Sequence, residues 1–140
     1  MKESGRILGI DYGSKRVGVS VSDPMGVLSQ GVATVRNDAH LFDRLVAIIR
    51  DQDVRTIVVG MPYNSEGRKG TKATEVDEFI ERLRCVTSVD IETWDESYSS
   101  VNAQRVFIES GMKRKKRQQK HRVDEMAARL MLQEYLDQLH

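Results

Sequence analysis

The segment Arg6-Ile-Leu-Gly-Ile-Asp11-Tyr-Gly-Ser-Lys15-Arg16-Val-Gly-Val-Ser-Val-Ser22-Asp23 decides how the chain folds. Ile7, Leu8 and Ile10 make a short apolar run, and Asp11 follows without a polar spacer, so a strand ends there with a carboxylate at its rim. Gly13 then turns the chain. Val17, Val19 and Val21 alternate with Gly18, Ser20 and Ser22, the period-two pattern of a strand with one covered face. The short gap between the two runs predicts a hairpin. Gly13 and Gly18 have P-loop spacing, but Val19-Ser20 stands where Lys-Ser/Thr is required, and there is no GxGxxG. The segment is therefore not read as a phosphate-cradling loop.

Downstream, Asp23-Pro24-Met25-Gly26 reads as a turn and Gln30 to Arg36 as a third strand, which completes an antiparallel meander. Asn37 or Asp38 is placed to cap a helix bearing Leu41, Leu45, Ile48 and Ile49, flanked by Phe42 and Val46. Val54 to Gly60 carries the continuous apolar run of a strand covered on both faces. Residues 60 to 70 are rich in turn formers, which suits an ordinary connection or a loop over a site. Thr71 or Thr74 can cap the next helix, with Ala73, Val76, Phe79, Ile80 and Leu83 as its apolar face. Ser88 to Trp94 makes a fifth strand, with Val89, Ile91 and Thr93 on one side, and it too ends in carboxylates, Asp95-Glu96. A helix from Ser99 or Ser100 to Gly111 follows, bearing Val101, Ala103, Val106 and Phe107. The last helix runs from about Val123 to Leu139, with Ala127, Leu130, Met131, Tyr135 and Leu136 as its buried stripe.

The order β-β-β-α-β-α-β-α-α describes an α/β fold: a mixed five-stranded sheet, three strands antiparallel and the later ones parallel through right-handed crossovers, with helices on both faces. No repeat or linker divides the 140 residues, so one domain over residues 1–140 is expected, large enough to bury roughly two-thirds of its unfolded surface. Hydrophobic content of 39% and charged content of 31% are those of a soluble globular protein. No apolar run approaches the ~20 residues of a membrane span and the N-terminus lacks a signal-peptide core, so a cytoplasmic location without membrane attachment is the default. The single cysteine, Cys85, excludes an intrachain disulfide and a cysteine-rich zinc site. With no His or acid evident as its partner, Cys85 reads as a small residue near a helix end.

In the crossover topology Asp11 and Glu96 leave the same edge of the sheet, about 10 Å apart if one strand lies between theirs. Two carboxylates with divalent cations between them span that distance, and a two-metal centre has ions ~3.5 to 4 Å apart. Asp124, in the first turn of the last helix, becomes a third ligand if that helix packs across the same edge. Each acid also has an ordinary reading: a turn former after a strand, a solvated pair, or an Asp favoured by the helix dipole. Oxygen-only ligands select Mg²⁺ or Mn²⁺ over Zn²⁺. His40, His121 and His140 are too scattered for a triad.

The net charge of +1 is unevenly spread. Residues 113–122 hold seven of the 22 Lys+Arg and no acid, leaving 15 bases against 21 acids, or −6, elsewhere. Lys113, Arg114, Lys115, Lys116, Arg117, Lys120 and Arg122 form a run that is either a solvated stretch or a partner for a phosphate backbone.

Taken together, Gly9-Ile-Asp11-Tyr-Gly-Ser-Lys-Arg-Val-Gly18, Val58-Val-Gly60-Met-Pro-Tyr-Asn64 with Gly67, Asp95-Glu96-Ser-Tyr-Ser-Ser100 and Val123-Asp124-Glu-Met-Ala-Ala-Arg-Leu-Met-Leu-Gln-Glu-Tyr-Leu136 resemble the YqgF/RuvX family. The resemblance covers nearly the whole chain. It implies an RNase H-like fold related to Holliday-junction resolvases, and a metal-dependent nuclease with Asp11, Glu96 and Asp124 as its acidic catalytic and metal-binding residues. The family is described both as a resolvase and as a nuclease maturing the small-subunit rRNA precursor, so the implied partner is structured RNA such as pre-16S rRNA, or branched DNA. Symmetric cutting of two strands would call for a homodimer. Where the family often has Asp-Glu-Arg-Leu-Thr-Thr, this chain reads Asp95-Glu96-Ser97-Tyr98-Ser99-Ser100, so any phosphate-holding role of that arginine falls to Lys15, Arg16 or the basic run. Two further readings stay open: a nucleic-acid-binding module without catalysis, and a nucleotide phosphatase with an Asp-x-Gly turn, for which the chain offers no second lobe.

Overall fold

A computed structural model describes residues 5–62, 70–95 and 116–139, the last stretch by backbone alone before residue 125. Within these residues the elements run β1 (Arg6–Asp11), β2 (Arg16–Ser22), β3 (Ser29–Arg36), α1 (Leu41–Asp51), β4 (Val54–Met61), α2 (Thr71–Arg84), β5 (Asp90–Asp95) and α3 (Lys116–Leu139). The expected helix between Ser99 and Gly111 lies outside the described residues. One five-stranded sheet has the order β3-β2-β1-β4-β5. The β1–β2 and β2–β3 pairs are antiparallel, and the β1–β4 and β4–β5 pairs are parallel. This is the mixed sheet read from the sequence, with β1 at its centre.

Alternation along the strands separates two cores. Leu8, Ile10, Val17, Val19, Val21, Ile57 and Val59 pack against Leu41, Leu45 and Ile49 of α1 and Ala73, Val76, Phe79, Ile80 and Leu83 of α2. Ile7 and Val58, from the alternate positions, pack against Ala127, Met131, Leu132, Tyr135 and Leu136 of α3. Helices therefore cover both faces.

Several element ends differ from the sequence reading, each for a local reason. At α1, neither Asn37 nor Asp38 is the N-cap; His40 occupies that position without a side-chain cap bond. Asp38 acts just before it, accepting from the His40 N–H at 2.9 Å and from Arg44 at 3.2 Å. The His40 bond, followed by the Arg44 charge and hydrogen bond, holds the Asp38 carboxyl below its ordinary range. Gly70 precedes α2, so neither Thr71 nor Thr74 caps it. Thr74 lies inside the first turn and its hydroxyl donates back to the Gly70 carbonyl at 3.2 Å. β5 begins at Asp90 rather than Ser88, because the Val89 N–H is taken by the Thr87 hydroxyl at 3.2 Å. As a strand at the end of the sheet, β5 leaves Thr93 exposed.

The largest difference is α3, which starts at Lys116 and so converts most of the basic run into helix. Lys, Arg and Gln are good helix formers and no Gly or Pro interrupts them. Its buried stripe also includes Ala128 and Leu132, while Leu130 is only half-buried.

α3 lies unusually close to the sheet because the strands present small residues beneath it. A Cβ on Gly9 would stand 2.5 Å from the Ser20 hydroxyl and 2.9 Å from the Leu132 Cβ, and one on Gly31 would overlap the Glu125 side chain. The buried Ser20 hydroxyl donates to the Ala128 carbonyl at 2.8 Å, joining strand to helix backbone. Nearby, the Ser29 N–H donates to Gln133 Oε1 at 2.9 Å and the Ser29 hydroxyl to the Arg129 carbonyl at 2.6 Å. At the far side, the Tyr135 hydroxyl donates to Glu92 of β5 at 2.7 Å, and its ring meets Trp94 edge-on at 6.0 Å.

Gly9→Ala is expected to lower the unfolding free energy by about 1–3 kcal/mol, the usual effect of forcing extra volume into a packed contact, read as a lower urea midpoint at unchanged slope. Burial, followed by the Glu92 hydrogen bond and charge, pushes the Tyr135 phenol up from 10.0 to about 12. Since the folded state holds this proton more tightly than the unfolded chain, the associated stability is complete below pH 10 and is lost as the pH rises towards 12. Tyr135→Phe should flatten that alkaline decline in stability, measured by denaturant unfolding across the same pH range.

Candidate active site

Asp11 ends the central strand, and its side chain is only 4% exposed. Its direction follows from alternation. Leu8 and Ile10 face α1 and α2, whereas Ile7 and Gly9 face α3, so Asp11 stands on the α3 face. Its antiparallel partner is Gly18. On the parallel side, one residue beyond the Ile10–Val59 pair, lies Gly60. The carboxylate thus sits in a row between two glycines, with no neighbouring side chain on either strand beside it. Next in that row, paired with Gly60, comes Trp94 of β5, about 10 Å from β1.

The turn after Asp11 is anchored on two sides. Tyr12, pointing to the opposite face, packs on Phe79 with ring centroids 4.7 Å apart. The Asn37 side-chain amide donates to the Gly13 carbonyl at 2.9 Å, and the Asn37 N–H donates to the Lys15 carbonyl at 2.9 Å. A side chain on Gly13 would run into the Arg16 carbonyl, so the glycine is required by close approach.

The other predicted acids are only partly located. β5 runs parallel to β1 through β4 and ends at Asp95, opposite Met61 at the same sheet edge. Glu96, the next residue, lies outside the described residues. Asp124 belongs to α3, one turn before Ala128, and is described by its backbone alone. Ala128 meets the sheet at Gly9 and Ser20. From that contact, residue 124 is ~6 Å along the helix and Asp11 ~7 Å along the strand. The fold therefore carries the start of α3 and the end of β1 into one neighbourhood.

Of the predicted cationic residues, Lys15 is exposed and Arg16 half-buried in the hairpin beside Asp11. Lys113, Arg114 and Lys115 lie outside the described residues. Lys116, Arg117, Lys120 and Arg122 occupy the first two turns of α3 by backbone. Three features went unread in the sequence: the glycine flanks of Asp11, Arg36 opposite Arg16, and the Trp94 indole N–H, which is buried without a hydrogen-bond partner among the described residues. The alternation of Gly18 with the valines of β2 already contained the signal for the first.

Among the described residues no three His, Cys, Asp or Glu side chains gather into a metal-binding group. Asp11 is the only one of the three predicted ligands whose side chain is described. Its hard oxygen donors and its place at a strand end suit Mg²⁺ or Mn²⁺.

A central strand ending in a buried acid, within a sheet of this order backed by helices on both faces, is the RNase H-like arrangement. Two solved structures share it: RuvC of T. thermophilus in complex with Holliday junction substrate, at TM-score 0.59 and 11% identity over 96% of this chain and 95% of that one, and the fowlpox virus Holliday junction resolvase, at TM-score 0.53 and 15% identity over 96% and 99%. At such identities the likeness establishes the fold alone. The family model "RuvX: Holliday junction resolvase" matches residues 5–138. A protein of Clostridioides difficile (strain 630) named "Putative pre-16S rRNA nuclease" is 42% identical over 135 residues, covering 95% of this chain and 94% of its own. One of the same name from Bacillus thuringiensis (strain Al Hakam) is 40% identical over 136 residues, covering 94% and 98%. The chain belongs to the RuvX family, and is accordingly a nuclease, a hydrolase of phosphodiester bonds.

Proposed function

We propose that this chain, acting as a single domain over residues 1–140, is a divalent-metal-dependent endonuclease that trims structured RNA, with pre-16S rRNA as its substrate in the cytoplasm. The observation that carries this reading is the buried Asp11 carboxylate between Gly18 and Gly60 at the end of the central strand. A divalent cation on that carboxylate would let a phosphate approach an acid that otherwise repels it. Asp11, Glu96 and Asp124 would hold Mg²⁺ or Mn²⁺. When bound, such ions make water nucleophilic near neutral pH and stabilise the leaving oxygen.

The chain's own groups supply position. Asp11, fixed by the sheet, sets where the scissile phosphate lies, and the glycines beside it leave room for the strand to be cut. Lys15, Arg16 and the basic residues Lys113, Arg114, Lys115, Lys116, Arg117, Lys120 and Arg122 would hold the phosphate backbone on either side, giving binding a strong salt dependence. The names carried by relatives at 40% and 42% identity favour the ribosomal RNA precursor. The family's description as a Holliday junction resolvase keeps four-way DNA junctions as the second reading, one that would engage a homodimer. No helix among the described residues is long and apolar enough to cross a membrane.

Cleavage of pre-16S rRNA, single strands and four-way junctions should be compared with Mg²⁺ or Mn²⁺ and with chelator. Wild type is expected to cut the RNA precursor in a metal-dependent way, and Asp11→Asn to lose about 10²-fold or more in rate, as when one key electrostatic group is removed from a site. Full metal-dependent activity in Asp11→Asn would refute the assignment.

A further inference from the structure

β2 and β3 place Arg16 directly opposite Arg36. The Asn37 N–H donates to the Lys15 carbonyl on the outer side of this pair. The two arginines therefore form a non-hydrogen-bonded antiparallel pair, the kind with Cα atoms ~4.5 Å apart and side chains closest together. Both guanidinium groups are charged at every accessible pH. Arg36 is exposed, and its side chain has no ion pair or hydrogen bond among the described residues.

The pair also faces the right way. Val17 points to α1 and α2, so Arg16, and with it Arg36, stands on the α3 face that carries Asp11. Arg16 lies two residues before Gly18, the partner of Asp11, which separates the two backbones by about 8 Å. Asn37 holds the intervening turn to the end of β3 through both its backbone and its side chain. The cations are thus mounted on a fixed hairpin end rather than a loose loop.

We propose that Arg16 and Arg36 form a clamp for one backbone phosphate of the nucleic acid, adjacent to the phosphodiester cut at Asp11, and this rests on the nuclease reading above. Guanidinium groups grip phosphate oxygens through paired, charge-assisted hydrogen bonds. A phosphate between the two arginines is attracted by both charges. Such a contact fixes the register of the strand without reading its sequence.

The test measures binding of labelled pre-16S rRNA and a four-way junction by Asp11→Asn protein with and without Arg36→Gln, across a salt series. Arg36→Gln should weaken binding about three- to tenfold for whichever substrate binds, and reduce the salt slope by about one, with Arg36→Lys recovering the slope but not the full affinity. Arg50→Gln, on the exposed end of α1, should change neither. Thermal unfolding of Arg36→Gln should show an unchanged midpoint, which separates lost binding from lost folding. Unchanged affinity and slope in Arg36→Gln would overturn the clamp and leave the nuclease standing. Failure of the parent protein to bind any nucleic acid would overturn both.

Discussion

The close seat of α3 on the sheet is the constraint from which the rest follows. A helix normally needs large side chains beneath it to fill the space to a sheet. Here Gly9 and Gly31 remove them, and Ser20 reaches the Ala128 carbonyl directly at 2.8 Å. The contact has little tolerance, because each atom added beneath the helix must displace either strand or helix. Polar bonds at its margin add to the contact, with Ser29 joined to Gln133 and Arg129, and Tyr135 to Glu92. The helix is therefore fixed in height and in register, and its backbone at residue 124 is delivered to a defined place.

That place is the end of β1. Parallel pairing of β1, β4 and β5 aligns three strand ends on one edge, and crossovers through α1 and α2 leave the opposite face free for α3. Asp11, buried between two glycines at the end of β1, adds no apolar side chain to either core. The two faces of the sheet consequently differ in kind: a thick aliphatic core on one side, with Tyr12, Phe42 and Phe79 stacked at its rim, and a thinner, small-residue face on the other.

The charge distribution fits this division. Outside residues 113–122 the chain is net acidic, −6, so a polyanion is repelled by most of the surface and drawn to the few places where cations collect. One such place is the hairpin end that holds Lys15, Arg16 and Arg36, towards the edge that bears Asp11.

The strand pattern was legible without coordinates because alternation and continuous apolar runs are local consequences of which face is covered. The hairpin, the mixed sheet, the two-sided helices and Asp11 at a strand end all follow from it. Helix ends were less legible: the start of α3 depends on weak propensities summed over residues 116–122, and the entries of α1 and α2 on which of several competing polar groups wins the backbone donors. By itself the sequence determined that a carboxylate ends the first strand, since a single residue's place after an apolar run needs no partner to define it. Only the tertiary structure decided that glycines flank that carboxylate, that Ala128 rests on Gly9 and Ser20, and that Arg36 stands beside Arg16. Those relations join residues far apart in the chain, and strand register and helix seating alone bring them together.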